Sequence, residues 1–161
     1  MSMEIKFEVK IDAGALYDYM MRHTYSSFSG LFGSLVGALL VVLAGYTGQW
    51  LFVIAGAVLL FYLPWTLFVK SRQQVLTNPV FKQPLHYMLD EQGLHISQGE
   101  VTSAIGWEDM VKAVSTGRSI ILYTSRVNAT IFPRKQMGDQ TAAVIEMISI
   151  HMPPKKVKIR T

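Results

Sequence analysis

An acidic pair beside a tryptophan is the first place in this sequence where chemistry could occur. Glu108 and Asp109 follow Trp107 directly in the stretch AIGWEDMVKAV (104–114), and an apolar ring beside a carboxyl is one way to raise a carboxyl pKa. Trp107 ends one predicted strand and Met110 begins the next, so the two acids lie in a tight connection and point in different directions. Acid–base catalysis needs groups that reach the same reacting atoms. The pair therefore favours a structural role.

The other residues that could catalyse a reaction or bind a metal are scattered along the chain. The four histidines are His23, His86, His95 and His151. They form no zinc motif, and the chain has no cysteine. His86 and His95 could face each other across a hairpin, where an exposed cross-strand pair is favoured over a metal site. Ser27 and Ser29 follow no strand, as a nucleophile elbow requires. The sequence predicts no catalytic residue, no metal site and no cofactor, which favours a protein that is not an enzyme.

The composition indicates a membrane protein with a soluble part. Half of the 161 residues are hydrophobic and only 16% are charged, against about 25% in an average soluble chain. No Asp, Glu, Lys or Arg occurs between Arg22 and Lys70. The turn-forming sequence GYTGQW divides this gap into apolar segments 28–46 and 50–69, each close to the ~20 residues that a membrane-spanning helix needs. We therefore predict a transmembrane helical hairpin over residues 28–69.

Charges that flank the hairpin predict its orientation. Arg22 precedes the first segment, Lys70 and Arg72 follow the second, and the connecting loop carries no charge. The positive-inside rule then places both termini in the cytoplasm of a multi-pass cell-membrane protein. The net charge of +4 suits the anionic inner leaflet of a lipid bilayer. No basic stripe with interleaved aromatics is present, so nucleic acid is not predicted as a partner.

Small residues in the first apolar segment predict close helix packing. Gly33 and Gly37 form a G-x-x-x-G motif, which lets two transmembrane backbones approach closely. Packing within the hairpin is favoured, and a homo-oligomer formed through the hairpins is the alternative. Neither segment carries a polar stripe, so a pore is not predicted.

Short strand patterns on both sides of the hairpin predict the soluble domain. Residues 3–11 alternate strictly between apolar and charged side chains, as a half-buried strand does. Residues 13–27 predict a juxtamembrane amphipathic helix capped by Asp12. After a connector at 70–84, residues 85–152 contain six short strand patterns in meander order and one helix.

The end of the chain is predicted to be a helix followed by a basic tail. Asp139 is expected to cap the helix, whose buried face is expected to carry four apolar side chains at helical spacing. These are Ala142, Ile145, Ile148 and Met152. Two prolines end the helix, and residues 153–161 form a basic tail that has no core pattern. This tail is expected either to contact the inner leaflet or to stay disordered.

This element order predicts an α+β membrane protein. The strands are expected to form an antiparallel β-barrel or sandwich in the cytoplasm, capped by the C-terminal helix. An isolated strand at 3–11 cannot bury its apolar face or satisfy its backbone. We therefore expect residues 3–11 to join the sheet, with the transmembrane hairpin inserted between them and the second strand.

Four stretches carry a family resemblance. They are LYDYMMRHTYSSFSGLFG (16–33), NPVFKQPLHYMLDEQGLHIS (78–97), IGWEDMVKAVST (105–116) and IILYTSRVNATIFPRKQM (120–137). Over nearly its whole length the chain resembles the YcxB-like family of small bacterial membrane proteins. The resemblance implies two transmembrane helices and a cytoplasmic domain similar to pleckstrin-homology modules, and it implies no reaction.

The function favoured by these patterns is a non-enzymatic, membrane-anchored binding or scaffold module that recruits or regulates a protein partner. Recruitment would use an exposed sheet edge or the groove beside the helix. The alternatives are an immunity or envelope-stress protein and an integral membrane enzyme acting on lipid. Arg134, Lys135, Lys70 and Arg72 are the candidate contacts with the inner leaflet. Four cations lie near predicted strand turns, and for them solvated edge positions are slightly favoured over binding of a lipid headgroup; they are Arg118, Arg126, Arg134 and Lys135.

Overall fold

The computed structural model describes residues 3–160 as a helical hairpin joined to two four-stranded sheets. The elements in chain order are β1 (Ile5–Val9), α1 (Ala13–Tyr25), α2 (Phe28–Thr47), α3 (Trp50–Thr77), β2 (Leu85–Leu89), β3 (Gly93–Gln98), β4 (Val101–Gly106), β5 (Lys112–Ser115), β6 (Ser119–Tyr123), β7 (Ala129–Pro133), α4 (Arg134–Met137), α5 (Thr141–His151) and β8 (Val157–Lys158). The fold is therefore α+β, as the sequence predicts.

The first sheet has the order β1-β2-β3-β4 and is antiparallel throughout. In β1 the buried residues alternate with exposed ones, and the register places Phe7 opposite Tyr87 of β2. The N-terminal strand thus pairs with a strand that lies beyond the whole hairpin in sequence. Its apolar side chains provide the reason, because they are buried only when β1 joins this sheet.

The second sheet has the order β7-β6-β5-β8, and β8 pairs parallel to β5. Because β8 occupies the free edge of β5, that edge cannot pair with β4. The chain also leaves β4 through a single 3-10 turn at Trp107–Asp109, which ends the β3–β4 ladder. The two sheets therefore do not close into a barrel, and the barrel part of the prediction is wrong.

The end of the chain contains a short strand, whereas the sequence predicted a basic tail with no core pattern. Val157 and Lys158 form β8, with Val157 opposite Ala113 of β5. Val157 and Ile159 pack against the core, whereas Lys158 is exposed. The alternation of apolar and basic residues at the end of the chain places one set inward and the other outward.

One hydrophobic core lies between the two sheets and α5. Phe132 of β7 contacts Phe7 and Tyr87 of the first sheet, with ring centroids 5.2 and 5.0 Å apart. The helix α5 contributes Val144 and Met147, which are buried. These aromatic and aliphatic contacts join the two sheets into one unit.

The buried face of α5 is not quite the one predicted. Ile148 and Met152 are buried as expected, but Ala142 is exposed and Ile145 is only partly buried. A 3-10 turn over Gly138–Gln140 precedes the helix, and Asp139 does not cap it. This turn moves the helix start to Thr141 and directs Val144 and Met147 to the core instead.

The helix α1 covers the outer face of the second sheet. Asp12 caps it by accepting a hydrogen bond from the N–H of Ala15, at 2.7 Å. Tyr19 of α1 then packs on a small buried cluster formed by Val114, Ile121 and Tyr123. The second sheet is consequently buried on both faces, which explains why all five residues of β6 are buried.

The hairpin consists of two helices that are long and apolar enough to cross a membrane. Gly48 connects them in the left-handed conformation at φ 68° and donates its N–H to the carbonyl of Ala44 at 2.9 Å. Only 17% of the most apolar stretch of α2 and 11% of that of α3 are buried. The helices thus expose apolar side chains on most of their surface, unlike core helices of a soluble domain.

Candidate functional site

The acidic pair at Glu108 and Asp109 lies on the surface in a connection between sheets. Both acids are exposed within the 3-10 turn, while Trp107 is buried. The indole N–H of Trp107 donates to the carbonyl oxygen of Asp90 at 2.9 Å, and the ring stacks on His151 with centroids 5.0 Å apart. This geometry supports the structural interpretation, because the tryptophan fixes the turn and the acids face solvent.

Asp90 organises the turn between β2 and β3. Its Oδ1 accepts hydrogen bonds from the N–H groups of Gln92 at 2.8 Å and Gly93 at 3.0 Å. Its Oδ2 lies 2.9 Å from Nε2 of His95. Partial burial opposes ionisation, but these N–H donors and the neighbouring histidine together lower the pKa of Asp90 below its ordinary value. The charged form is therefore part of the folded turn.

His86 and His95 do not face each other directly. His86 lies opposite Ser97, and His95 lies opposite Met88. Each histidine has a carboxylate neighbour. Nδ1 of His86 lies 3.7 Å from a carboxylate oxygen of Glu8, and His95 contacts Asp90. Among residues 3–160 no group of three His, Cys, Asp or Glu side chains is placed to hold a metal ion.

The predicted inner-leaflet cations occupy two different elements. Lys70 and Arg72 are exposed on α3, and the Arg72 guanidinium lies 4.7 Å from the Phe68 ring centroid. Arg134 and Lys135 begin α4. Lys135 is exposed, whereas Arg134 is half-buried and donates a hydrogen bond from Nη2 to the carbonyl oxygen of Arg160 at 2.6 Å.

The structure places Arg134 in a group of cations that the sequence did not identify as a group. A cavity of about 600 Å³ is lined by Arg134 together with Arg22, Lys158 and Arg160. Arg22 comes from α1 and the last two come from the C-terminal strand and the residues beside it. The signal for the C-terminal pair was the apolar–basic alternation of VKIR (157–160), which indicates a strand with its cations on one face.

The strand β4 forms an open edge of the first sheet. Within residues 3–160 it pairs with β3 alone, and its first four residues, Val101 to Ala104, are exposed. The strand contains neither proline nor a charged residue, which are the usual protections of an edge strand. This edge can therefore accept another extended segment.

The two glycines of the G-x-x-x-G motif have different surroundings. A Cβ at Gly37 would lie 3.2 Å from the carbonyl oxygen of Gly56 and 3.0 Å from Leu60. A Cβ at Gly33 would contact nothing within 4 Å. The close approach of α2 and α3 thus occurs between Gly37 and Gly56, and Gly33 faces open space.

Comparison with protein families gives a match to the two-sheet part of the chain. A family model described as YcxB-like protein matches residues 89–148, from the end of β2 into α5. No curated protein and no solved structure matches the chain significantly. The predicted resemblance to the YcxB-like family is confirmed, and residues 89–148 carry it.

Proposed function

We propose that this protein is a non-enzymatic, membrane-anchored module that recruits a protein partner by accepting an extended segment at the edge of β4. The open edge of β4, on a domain attached to an apolar hairpin, is the observation that carries the proposal. Addition of a strand to such an edge supplies backbone hydrogen bonds, and pockets for alternate side chains give specificity. The arrangement of strands followed by a C-terminal helix is consistent with a variant of the pleckstrin-homology type.

Membrane anchoring is supported by the exposed apolar surface of the hairpin. Phe61 is 72% exposed and Trp65 is 68% exposed, and water would have to solvate these side chains outside a bilayer. Tyr17 of α1 lines a surface cavity with both of them and packs edge-on against Phe68, with centroids 5.9 Å apart. α1 thus lies beside the last turns of the apolar segment, where a membrane interface would be. The cations around the hairpin favour cytoplasmic termini.

The other edge of the first sheet is closed at one end. The strand β1 forms that edge, and the N–H and carbonyl of Lys10, just after it, both bond to the side chain of Gln136, at 2.7 and 2.9 Å. The two edges of this sheet therefore differ in access, and β4 is the one open to a partner.

Site-specific crosslinking tests the proposal, since the chain has no cysteine. Val101→Cys on β4 and Val127→Cys in the β6–β7 turn are matched, because both valines are 73% exposed. A thiol-directed photocrosslinker on the full chain in native membranes should give a product with a second protein from position 101. Thr102→Lys in the same background should remove that product, because an edge lysine disfavours strand addition.

Three outcomes contradict the proposal. The first is an equal yield of the same product from position 127, and the second is a product that persists in the Thr102→Lys variant. The third is a product whose mass equals two copies of the chain, which would assign the edge to self-association.

A further inference from the structure

The cavity lined by Arg134, called here the basic cavity, concentrates positive charge that no carboxylate of residues 3–160 pairs with. Its four cations are Arg22, Arg134, Lys158 and Arg160. The three ion pairs within residues 3–160 all lie on the first sheet and its turn, and none involves these cations. Among residues 3–160 no carboxylate lines the basic cavity, and Asp18 of α1 accepts the hydroxyl hydrogen of Thr116, a residue that lines it.

The basic cavity is held together by contacts between elements that are distant in sequence. The guanidinium of Arg134 donates to the carbonyl of Arg160, and the N–H of Arg160 donates to the hydroxyl of Ser115 at 2.7 Å. Nε of Arg134 is buried and has no hydrogen-bond partner within the described chain. The cavity thus offers prearranged guanidinium groups and the Ser115 hydroxyl, which accepts the Arg160 N–H and keeps its own hydrogen for another partner.

A second, adjoining cavity of about 310 Å³ extends the positive surface toward the hairpin. It shares Arg22 and Lys158 with the basic cavity and adds three lysines, Lys112, Lys155 and Lys156. Ser26 also lines it, one residue before Ser27, which caps α2. The positive surface therefore reaches the point where the chain enters the first apolar helix.

We propose that the basic cavity binds the phosphate group of an anionic phospholipid. Guanidinium groups match phosphate oxygens in geometry and can bond them in a bidentate manner, and the Ser115 hydroxyl adds a polar partner. A free phosphate ion has the same chemistry. The lipid is favoured because the positive surface ends at the start of α2, where headgroups would lie if the hairpin spans the bilayer as proposed above.

The experiment titrates the full chain in zwitterionic detergent with dioctanoyl-phosphatidylglycerol, with dioctanoyl-phosphatidylcholine and with inorganic phosphate. Binding is followed by amide exchange of Gly117 to Ser119 and of β8. The test variant is Arg22→Gln with Lys158→Gln, because neither side chain makes a hydrogen bond within the described residues. The control is Lys82→Gln with Arg126→Gln, which removes the same charge from exposed positions outside both cavities.

We expect the anionic phosphatidylglycerol to bind more tightly than the zwitterionic phosphatidylcholine. Each cation near the headgroup contributes about a 5-fold affinity gain, so the test variant, which removes two cations, should weaken binding by roughly 25-fold. The control variant should stay within about 2-fold of the unaltered chain, and added salt should weaken binding.

Equal affinity for the two lipids, or equal loss in the test and control variants, would overturn the site. If inorganic phosphate binds as tightly as phosphatidylglycerol, the assignment of a lipid as the ligand would be overturned. The titration involves no partner protein, so its failure would leave the crosslinking result at β4 unaffected.

Discussion

Phe7→Ala tests whether the N-terminal strand is an integral part of the soluble domain. The Phe7 side chain is only 8% exposed and contacts Tyr87 at 5.7 Å and Phe132 at 5.2 Å between ring centroids. Truncating a buried phenylalanine costs about 3–5 kcal/mol. Because β1 is an edge strand that can relax, we expect about 3 kcal/mol, which is a large part of the 5–15 kcal/mol typical of a domain.

The measurement is amide hydrogen exchange of the full chain in detergent, read at β2. A loss of about 3 kcal/mol should accelerate exchange through global unfolding of the soluble part by roughly 150-fold. Lys6→Ala is the control, since its side chain is 67% exposed on the opposite face, and such surface changes stay within about 0.5 kcal/mol. Exchange at β2 that is equally fast in both variants would show that β1 contributes little, and the discontinuous domain would be refuted.

Two further predictions concern the hairpin and the β2–β3 turn. Gly56→Ala should destabilise the α2–α3 contact by about 1–3 kcal/mol, because its Cβ would lie 2.7 Å from the carbonyl oxygen of Gly37. Gly33→Ala is the control. Equal thermal unfolding temperatures of the two variants in detergent would contradict this prediction. The pKa of Asp90 is lowered in the folded state, so its contribution to stability is present above the ordinary carboxyl pKa of about 3.9 and is lost as pH falls below it. Asp90→Asn should therefore lose less stability than the unaltered chain between pH 5 and pH 3, and parallel acid-unfolding curves would count against this role of the carboxylate.

The elements with strong local patterns were predictable from the sequence. The strict alternation at 3–11 and the uncharged stretch between Arg22 and Lys70 correspond to β1 and to the two apolar helices. In both cases, one physical requirement dominates over many consecutive residues. That requirement is a single buried face in the strand and an apolar surface around the whole helix.

The elements that depend on contacts between distant residues were not predictable in the same way. The strand β8 has only two residues, and it exists because the edge of β5 is available to it. The 3-10 turn before α5 likewise changed which face of that helix is buried. The basic cavity joins residues 22 and 134 to the pair 158 and 160, and although the alternation of VKIR signals the pair, no local pattern relates it to the other two positions.

The insertion of the hairpin between β1 and β2 has a mechanical consequence for both proposed sites. Val9 pairs with Leu85, so the two chain segments that lead to and from the hairpin are held about one strand spacing apart, ~4.8 Å. The two-sheet domain is thus attached to the hairpin by two connections, which restrict rotation more than one flexible linker would. One connection is α1, which carries Arg22 and keeps the basic cavity next to the start of α2. The strand β4 lies three strand spacings from β1, about 14 Å across the sheet. The open edge of β4 belongs to the first sheet, whereas the basic cavity is lined by residues of α1 and of the second sheet with its connections. The two proposed sites therefore share no residue, and one attached domain can carry both.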